Sequence, residues 1–124
     1  DNAGRIWTGS FQNNGIEIID PGKKTFTLLN NKNGLTGSIV WALMQDNKGQ
    51  IWAATDSGTN IINPVDGTIR YLMDGKEIRN DNGGSLLSDD QGRVWIGTRN
   101  GILIADEKNK LLTTISIVRR ILQM

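Results

Sequence analysis

The chain has 124 residues and a formal net charge of +1, with 15 glycines and a hydrophobic share of only 37%. It contains no cysteine and no histidine, which excludes disulfides, thiolate nucleophiles, histidine acid–base chemistry and nearly all zinc or copper sites. The near-zero charge gives no general attraction to nucleic acid. No stretch is apolar over the roughly 18 residues that a membrane helix needs, so we expect no membrane insertion.

The first predicted element is a hairpin turn followed by a strand, in the sequence DNAGRIWTGS at residues 1–10. An Asp-x-x-Gly start is typical of a turn whose glycine has a positive φ and whose aspartate accepts hydrogen bonds from backbone amides. Two more strands are predicted after it, at residues 15–20 and 25–29. The opening unit therefore has three predicted strands, and it lacks a strand before its turn.

The same pattern returns twice, as DNKGQIWAAT at residues 46–55 and as DDQGRVWIGT at residues 89–98. In the middle copy Ile51, Ala53 and Thr55 face one side of the strand, and Trp52 and Ala54 face the other. Both sides are apolar or small, which predicts a strand buried on both faces. The other strands predicted in these two units are residues 38–45, 58–63, 68–72, 84–88, 101–106 and 110–114.

Four antiparallel strands in a repeat of roughly 44 residues are typical of a β-propeller blade. The predicted fold is therefore all-β, with about three four-stranded sheets in a partial propeller, since closed rings have four to eight blades. Blade 1 is predicted at about residues 1–33, blade 2 at 34–80 and blade 3 at 81–114. A β-sandwich with three similar hairpins is the alternative.

The repeat resembles the two-component regulator propeller repeat, most clearly in DDQGRVWIGTRNGILIAD at residues 89–106. The resemblance covers nearly the whole chain up to residue 114. It implies a periplasmic sensor region of a hybrid histidine kinase of the Bacteroidetes type, with the kinase outside this chain. It also implies that this segment is not an enzyme, and that it detects a carbohydrate such as an oligosaccharide. Three blades are fewer than the seven usual in such propellers, so we expect the chain to be a piece of a longer protein.

Two other functions remain open at the level of sequence, a protein-interaction scaffold and a carbohydrate-active enzyme. Only carboxylates are available for acid–base catalysis, and no pair of them is marked out by its spacing. We expect Asp46, Asp89 and Asp90 to be structural because they recur in the turns. No catalytic residue, cofactor or metal site is predicted; the loop at residues 80–84 lacks the bidentate glutamate of a calcium-binding loop.

Ligands of propellers usually bind at the mouth of the ring, where loops between the second and third strands meet the loops between blades. Amides, carboxylates and a guanidinium in these loops suit sugar hydroxyls or an anionic sugar, although surface loops carry such residues in any protein. The predicted ligand-binding residues are Gln12, Asn13, Asn14, Asp56, Lys76, Glu77, Arg79, Asp81, Arg99 and Asn100.

The last predicted element is a tail at residues 115–124, whose sequence SIVRRILQ at 116–123 is similar to SIVWALMQ at 38–45. The tail could form the first strand of a further blade and pair with the opening strand of a second copy, which would close a ring of about six blades. The alternative is that the tail is an outer strand or a helix left incomplete by truncation. In either case a three-blade wedge leaves apolar faces at its ends, so self-association is expected.

Overall fold

The computed structural model describes residues 1–12, 14–74, 77–78, 80–106, 108 and 111–116. The secondary structure of these residues is antiparallel β-sheet, apart from one 3-10 turn at Asn31–Asn33. Three main sheets follow one another along the chain, as the repeat predicts, and the all-β fold of propeller blades is confirmed.

Sheet 1 has the strand order β1-β2-β3, and sheets 2 and 3 have four strands each in sequence order. The strands of sheet 1 are β1 (Ile6–Gly9), β2 (Ile16–Asp20) and β3 (Thr25–Leu29). Those of sheet 2 are β4 (Val40–Gln45), β5 (Ile51–Thr55), β6 (Gly58–Ile62) and β7 (Ile69–Tyr71). A small hairpin of β8 (Met73–Asp74) and β9 (Glu77–Ile78) follows. Those of sheet 3 are β10 (Gly83–Ser88), β11 (Val94–Thr98), β12 (Gly101–Ala105) and β13 (Leu111–Ser116).

The observed strands differ from the predicted ones mainly at their ends. Strand β4 begins at Val40 and not at Ser38, because the carbonyl of Ser38 accepts a hydrogen bond at 3.2 Å from the amide of Gly15, which directly precedes β2. Strand β13 continues to Ser116, where Ile115 pairs with Ile102 of β12. The first two residues of the predicted tail at 115–124 thus belong to the outer strand of sheet 3, while the predicted blade boundaries stay predictions. Residues 117–124 lie outside the described part, and their role stays a prediction.

Each sheet has two faces that differ in their partners. We call the side that carries the repeated tryptophan (Trp7, Trp52 or Trp95) the tryptophan face and the other side the reverse face. The strand register places Trp52 opposite Ile61, and Ile51 opposite Ile62. Trp52 and Ile61 therefore share the tryptophan face of sheet 2, while Ile51 and Ile62 share its reverse face.

Two hydrophobic cores lie between the sheets. The first joins the tryptophan face of sheet 1 to the reverse face of sheet 2. It consists of Ile16, Ile18, Leu35, Val40, Ile51, Ala53 and Ile62, with Trp7, Leu29, Leu43 and Ile69 packed against them. The second joins the tryptophan face of sheet 2 to the reverse face of sheet 3. It consists of Trp52, Ile61, Leu72, Val94, Ile96, Leu103 and Ala105, with Met44 and Leu86 packed against them. Sheet 2 lies between the other two, so every residue of β5 is buried, as predicted.

Candidate functional site

The repeated turn aspartates hold the backbone of their turns. In the middle repeat, Oδ1 of Asp46 accepts hydrogen bonds from the amides of Lys48 and Gln50, each at 2.9 Å. Gly49 has a φ of 82°, in the left-handed region that favours glycine. Asp1 and Asp89 accept the same pair of amide hydrogen bonds in the other two repeats. The predicted structural role of these turns is confirmed.

The second carboxylate oxygen of each turn aspartate accepts a hydrogen bond from the repeated tryptophan. The indole Nε1 donates to Oδ2 at 2.7 Å from Trp7, 2.9 Å from Trp52 and 3.0 Å from Trp95. This bond satisfies the indole N–H as the ring enters a core. The sequence pattern did not predict this contact, although the constant spacing of six residues between aspartate and tryptophan is its signal.

An arginine strengthens this arrangement in sheets 1 and 3. Nε of Arg93 donates to Oδ2 of Asp89 at 2.7 Å, and its guanidinium lies 5.9 Å from the ring centre of Trp95. The indole N–H of Trp95, together with Arg93 and the turn amides, holds the pKa of Asp89 well below its usual range. Arg5 makes the equivalent contacts with Asp1 and Trp7. These carboxylates are held by hydrogen bonds within the fold, so they are poor candidates for proton transfer in catalysis.

The predicted ligand-binding residues belong to the loops after β1, β5 and β11 and to the linker before sheet 3. Gln12, Asn14, Arg99 and Asn100 are exposed. Asp56 is half-buried, and its Oδ1 accepts a hydrogen bond from the amide of the linker residue Ile39 at 3.2 Å.

Two of the other predicted residues lie in or beside the linker before sheet 3. Asp81 is half-buried. The backbone of Glu77 lies in β9, but its side chain lies outside the described part of the structure. Asn13, Lys76 and Arg79 also lie outside the described residues. All ten assignments stay predictions.

Two aromatic side chains stand out at the same end of the sheets. Phe11, in the loop after β1, is 67% exposed, and Trp41 of β4 is 42% exposed. Their ring centres are 5.5 Å apart and their planes are tilted by 40°. Such contact between two large rings that remain open to solvent is unusual for a structural pair, because packing normally buries aromatic surface. Trp41 is the one tryptophan of the sequence outside the repeated motif, which is the signal that could have identified it.

Trp41 points out of its sheet because of an irregularity in the strand pairing. Val40 pairs with Thr55 and Ala42 pairs with Ala54, so Trp41 is the extra residue of a bulge, a common way to aim a side chain. Gly84 occupies the equivalent place in β10, between Gly83 and Ser85. The bulge in sheet 2 carries the indole of Trp41, whereas the bulge in sheet 3 carries Gly84, which has no side chain. An open space is therefore left beside the indole of Trp41.

That space is a cleft of about 370 Å³ between sheets 2 and 3. Its walls are the aromatic ring of Trp41, small residues and polar side chains. The residues that line it are Trp41, Asn82, Gly84, Ser85, Gly97, Thr98 and Arg99. Arg99 is the predicted ligand-binding residue that the structure brings into this cleft, and we call the cleft together with Phe11 the aromatic cleft.

A larger cavity, of about 710 Å³, lies at the opposite end of the sheets, among the turn residues. Two of its charged side chains are engaged in the fold, since Arg5 donates to the carbonyl of Pro64 at 2.6 Å and forms an ion pair with Asp1. The aromatic cleft is therefore the better candidate despite its smaller volume. Among the described residues, no group of three or more aspartates and glutamates could hold a metal ion. The described residues also include no helix that is long and apolar enough to cross a membrane.

Comparison with known proteins gives a family match for part of the chain. The family described as two component regulator propeller matches residues 34–57 and 79–100, which contain the first two strands of sheets 2 and 3. No curated protein matches the sequence.

Several solved structures have the same fold. The extracellular domain of a proposed one-component system from B. thetaiotaomicron has a TM-score of 0.71 and 28% sequence identity, and the match covers 87% of this chain and 14% of that chain. The extracellular domain of a proposed hybrid two-component system of the same organism has a TM-score of 0.67 and 18% identity, covering 88% of this chain and 15% of that one. PorZ, a surface component of the type-IX secretion system of Porphyromonas gingivalis, has a TM-score of 0.56 and 12% identity over 95% of this chain and 26% of its own. The chain thus spans a small part of the length of each of these proteins.

Proposed function

Since this chain carries two-component regulator propeller repeats at residues 34–57 and 79–100, we propose that it is a ligand-sensing segment of a signalling propeller and that its ligand is a carbohydrate. The segment itself is non-catalytic and lies outside the cytoplasm, in the periplasm. Its similarity to the extracellular domain of a proposed one-component system from B. thetaiotaomicron supports this location and this role.

The observation that carries the proposal is the exposed pair of Phe11 and Trp41. A sugar ring has a face of C–H groups that packs well on an aromatic ring, while its hydroxyls point outward to polar partners. The two tilted rings, 5.5 Å apart, offer two such surfaces at neighbouring positions. An oligosaccharide is better suited to this arrangement than a single sugar, because it presents consecutive rings.

The walls of the aromatic cleft supply the polar partners. Asn82 and Ser85 offer donors and acceptors for hydroxyl groups. The hydroxyl of Thr98 donates to the carbonyl of Gly101 at 3.0 Å, so it can only accept from a ligand. The exposed guanidinium of Arg99 suits hydroxyls or the carboxylate of an acidic sugar, which it can bind through two parallel hydrogen bonds. The volume of about 370 Å³ is at the lower end of the range of roughly 300–1,000 Å³ for small-molecule sites.

The proposal is tested by binding of short neutral and uronic-acid-containing oligosaccharides to the intact chain, measured by calorimetry or on a glycan array. We expect binding without turnover. Trp41→Ala and Phe11→Ala should each weaken binding at least about tenfold, which is ~1.4 kcal/mol. Val65→Ala is the matched control, because Val65 is an apolar side chain 93% exposed in a turn away from the cleft.

Loss of binding in Trp41→Ala with an unchanged circular dichroism spectrum would support the aromatic cleft as the site. Equal affinity of the Phe11, Trp41 and Val65 variants would overturn it. Release of new reducing ends during the assay would favour a carbohydrate-active enzyme instead, whereas a single protein partner with no sugar binding would favour a scaffold.

A further inference from the structure

The bulge at the start of the first strand holds Trp41 in sheet 2 and Gly84 in sheet 3. The two residues stand at the same distance before the turn aspartates Asp46 and Asp89 of their repeats. Sheet 2 is packed on both sides, and Trp41 is nevertheless 42% exposed. The bulge position therefore faces solvent and not the contact between two sheets. The open surface at Gly84 belongs to this position, whether or not a further sheet packs on sheet 3.

Strand β10 begins with two glycines, and packing between the sheets accounts for the first of them. Gly83 is buried, and a Cβ added to it would lie 3.2 Å from the Cβ of Ala54 in sheet 2. The sizes are exchanged between sheets 1 and 2, where Val40 and Gly9 occupy the equivalent positions. A Cβ added to Gly9 would lie 2.8 Å from Cγ1 of Val40. Each contact between sheets thus has one residue that must be small.

Neither packing nor backbone geometry accounts for Gly84. A Cβ added to it would meet no atom within 4 Å, and its φ lies outside the left-handed region that favours glycine. The bulge does not require glycine either, since Trp41 occupies the same position in sheet 2. Glycine inside a strand weakens the strand, and it often marks a place where a ligand approaches the backbone closely. The missing side chain leaves room in the cleft that Gly84 shares with Trp41.

From this geometry we propose that Gly84 keeps the aromatic cleft open for one sugar ring, which stacks on the indole of Trp41 and lies against the backbone of Gly84. The inference rests on the proposed carbohydrate function and assigns a binding role to a residue without a side chain. Asn82 lines the same cleft, so its amide group can bond the hydroxyls of that ring. The next sugar of the oligosaccharide lies on Phe11, whose ring centre is 5.5 Å from that of Trp41.

The test places side chains of increasing size at position 84 of the intact chain. Calorimetry measures the binding of neutral and uronic-acid-containing oligosaccharides of two to four sugars. We expect affinity to fall by about threefold in Gly84→Ala and by about tenfold or more in Gly84→Leu, because each side chain occupies the place of the ring. The melting temperatures should be unchanged or higher, since replacing an unstrained glycine restricts the unfolded chain. Weaker binding at unchanged or higher stability separates a ligand-binding role from a structural one.

Gly22 provides the matched control. It is exposed in the turn between β2 and β3, away from the cleft, and its φ also lies outside the left-handed region. Gly22→Ala and Gly22→Leu make the same chemical changes there, so both variants should bind the oligosaccharides as the unchanged chain does.

A double-variant experiment tests whether Trp41 and Gly84 contact the same sugar ring. Trp41→Phe makes the aromatic wall smaller and the cleft wider, so Gly84→Leu should weaken binding less in the Trp41→Phe chain than in the unchanged chain. Equal losses in the two chains would overturn the shared contact. An unchanged chain that binds none of these oligosaccharides would overturn the proposed function and this inference with it. Binding that is as tight in Gly84→Leu as in the unchanged chain would overturn this inference alone.

Discussion

Sheets 2 and 3 are built from the same motif, yet their tryptophans have different surroundings. Trp52 is fully buried, and all five residues of β5 are buried. Trp95 makes the same hydrogen bond with its aspartate but stays half-buried, because no sheet of the described chain packs on its face. The local geometry of a repeat is thus set by its own sequence, whereas its burial is set by its neighbour. This is the behaviour of repeat proteins, whose stability is a sum of unit and interface contributions.

The two sheets should differ most in the free energy of unfolding that is lost when the repeated tryptophan is replaced. Trp52→Ala should lower the free energy of unfolding by about 3–5 kcal/mol, since it empties a filled core. Trp95→Ala should cost roughly 1–2 kcal/mol, because part of the ring is already in water. Urea unfolding at low micromolar protein measures both values. If Trp52→Ala does not fold, Trp52→Phe serves as the milder change; equal losses at the two positions would contradict the comparison.

A second pair of equivalent residues compares a covered reverse face with an open one. Ile62→Ala should cost about 2–5 kcal/mol, since Ile62 is fully buried in the first core. Ile19→Ala at the equivalent position of sheet 1 should cost less than about 1 kcal/mol, because its side chain is partly in solvent. The same unfolding experiment measures the difference. A larger loss at Ile19, growing with protein concentration, would instead point to association through that face.

The hydrogen bond from indole to aspartate should contribute more to the free energy of unfolding in the sheet where water is excluded from the indole. Asp46→Asn keeps an oxygen for the turn amides but presents an NH₂ group to the indole N–H of Trp52, which then has no acceptor. The expected loss of about 1–3 kcal/mol is the cost of a buried donor without a partner. Asp89→Asn should have a smaller effect on its indole bond, because water reaches Trp95. Thermal unfolding and the chemical shifts of the indole protons report the two cases separately.

The smallest expected effect is on the dependence of the melting temperature on pH. The pKa of Asp89 is lower in the folded chain than in the unfolded chain, so protonation favours unfolding. Its contribution is complete above about pH 4 and is lost as the pH falls toward the folded-state pKa. Asp89→Asn should therefore flatten the decline of the melting temperature between neutral and acid pH. The pKa of Asp66 is also lowered, by the amide and hydroxyl of Thr68, so Asp66→Asn measures how much an exposed turn contributes to the same decline. An identical acid response in both variants and the unchanged chain would contradict the assignment.

The features that depend on a few consecutive residues could be predicted from the sequence. The turn glycines, the turn aspartates and the alternation of β5 follow from a few consecutive residues, and the structure agrees with each of them. The aromatic pair could not be predicted, because Phe11 lies in a loop of sheet 1 and Trp41 lies on sheet 2, so the two rings meet only after the sheets pack. The bulge that turns Trp41 outward is likewise a feature of strand pairing. For the same reason, Arg99 could be placed in a mouth loop from the sequence, but its position beside Trp41 could not.

Because each turn aspartate fixes its tryptophan from only six residues away, every unit carries its own finished contact surface. A duplicated stretch of the gene would bring both halves of a new junction with it, and no compensating change in the older units would be needed. Arrays of this kind can lengthen or shorten in evolution by whole units while the mouth loops diverge independently.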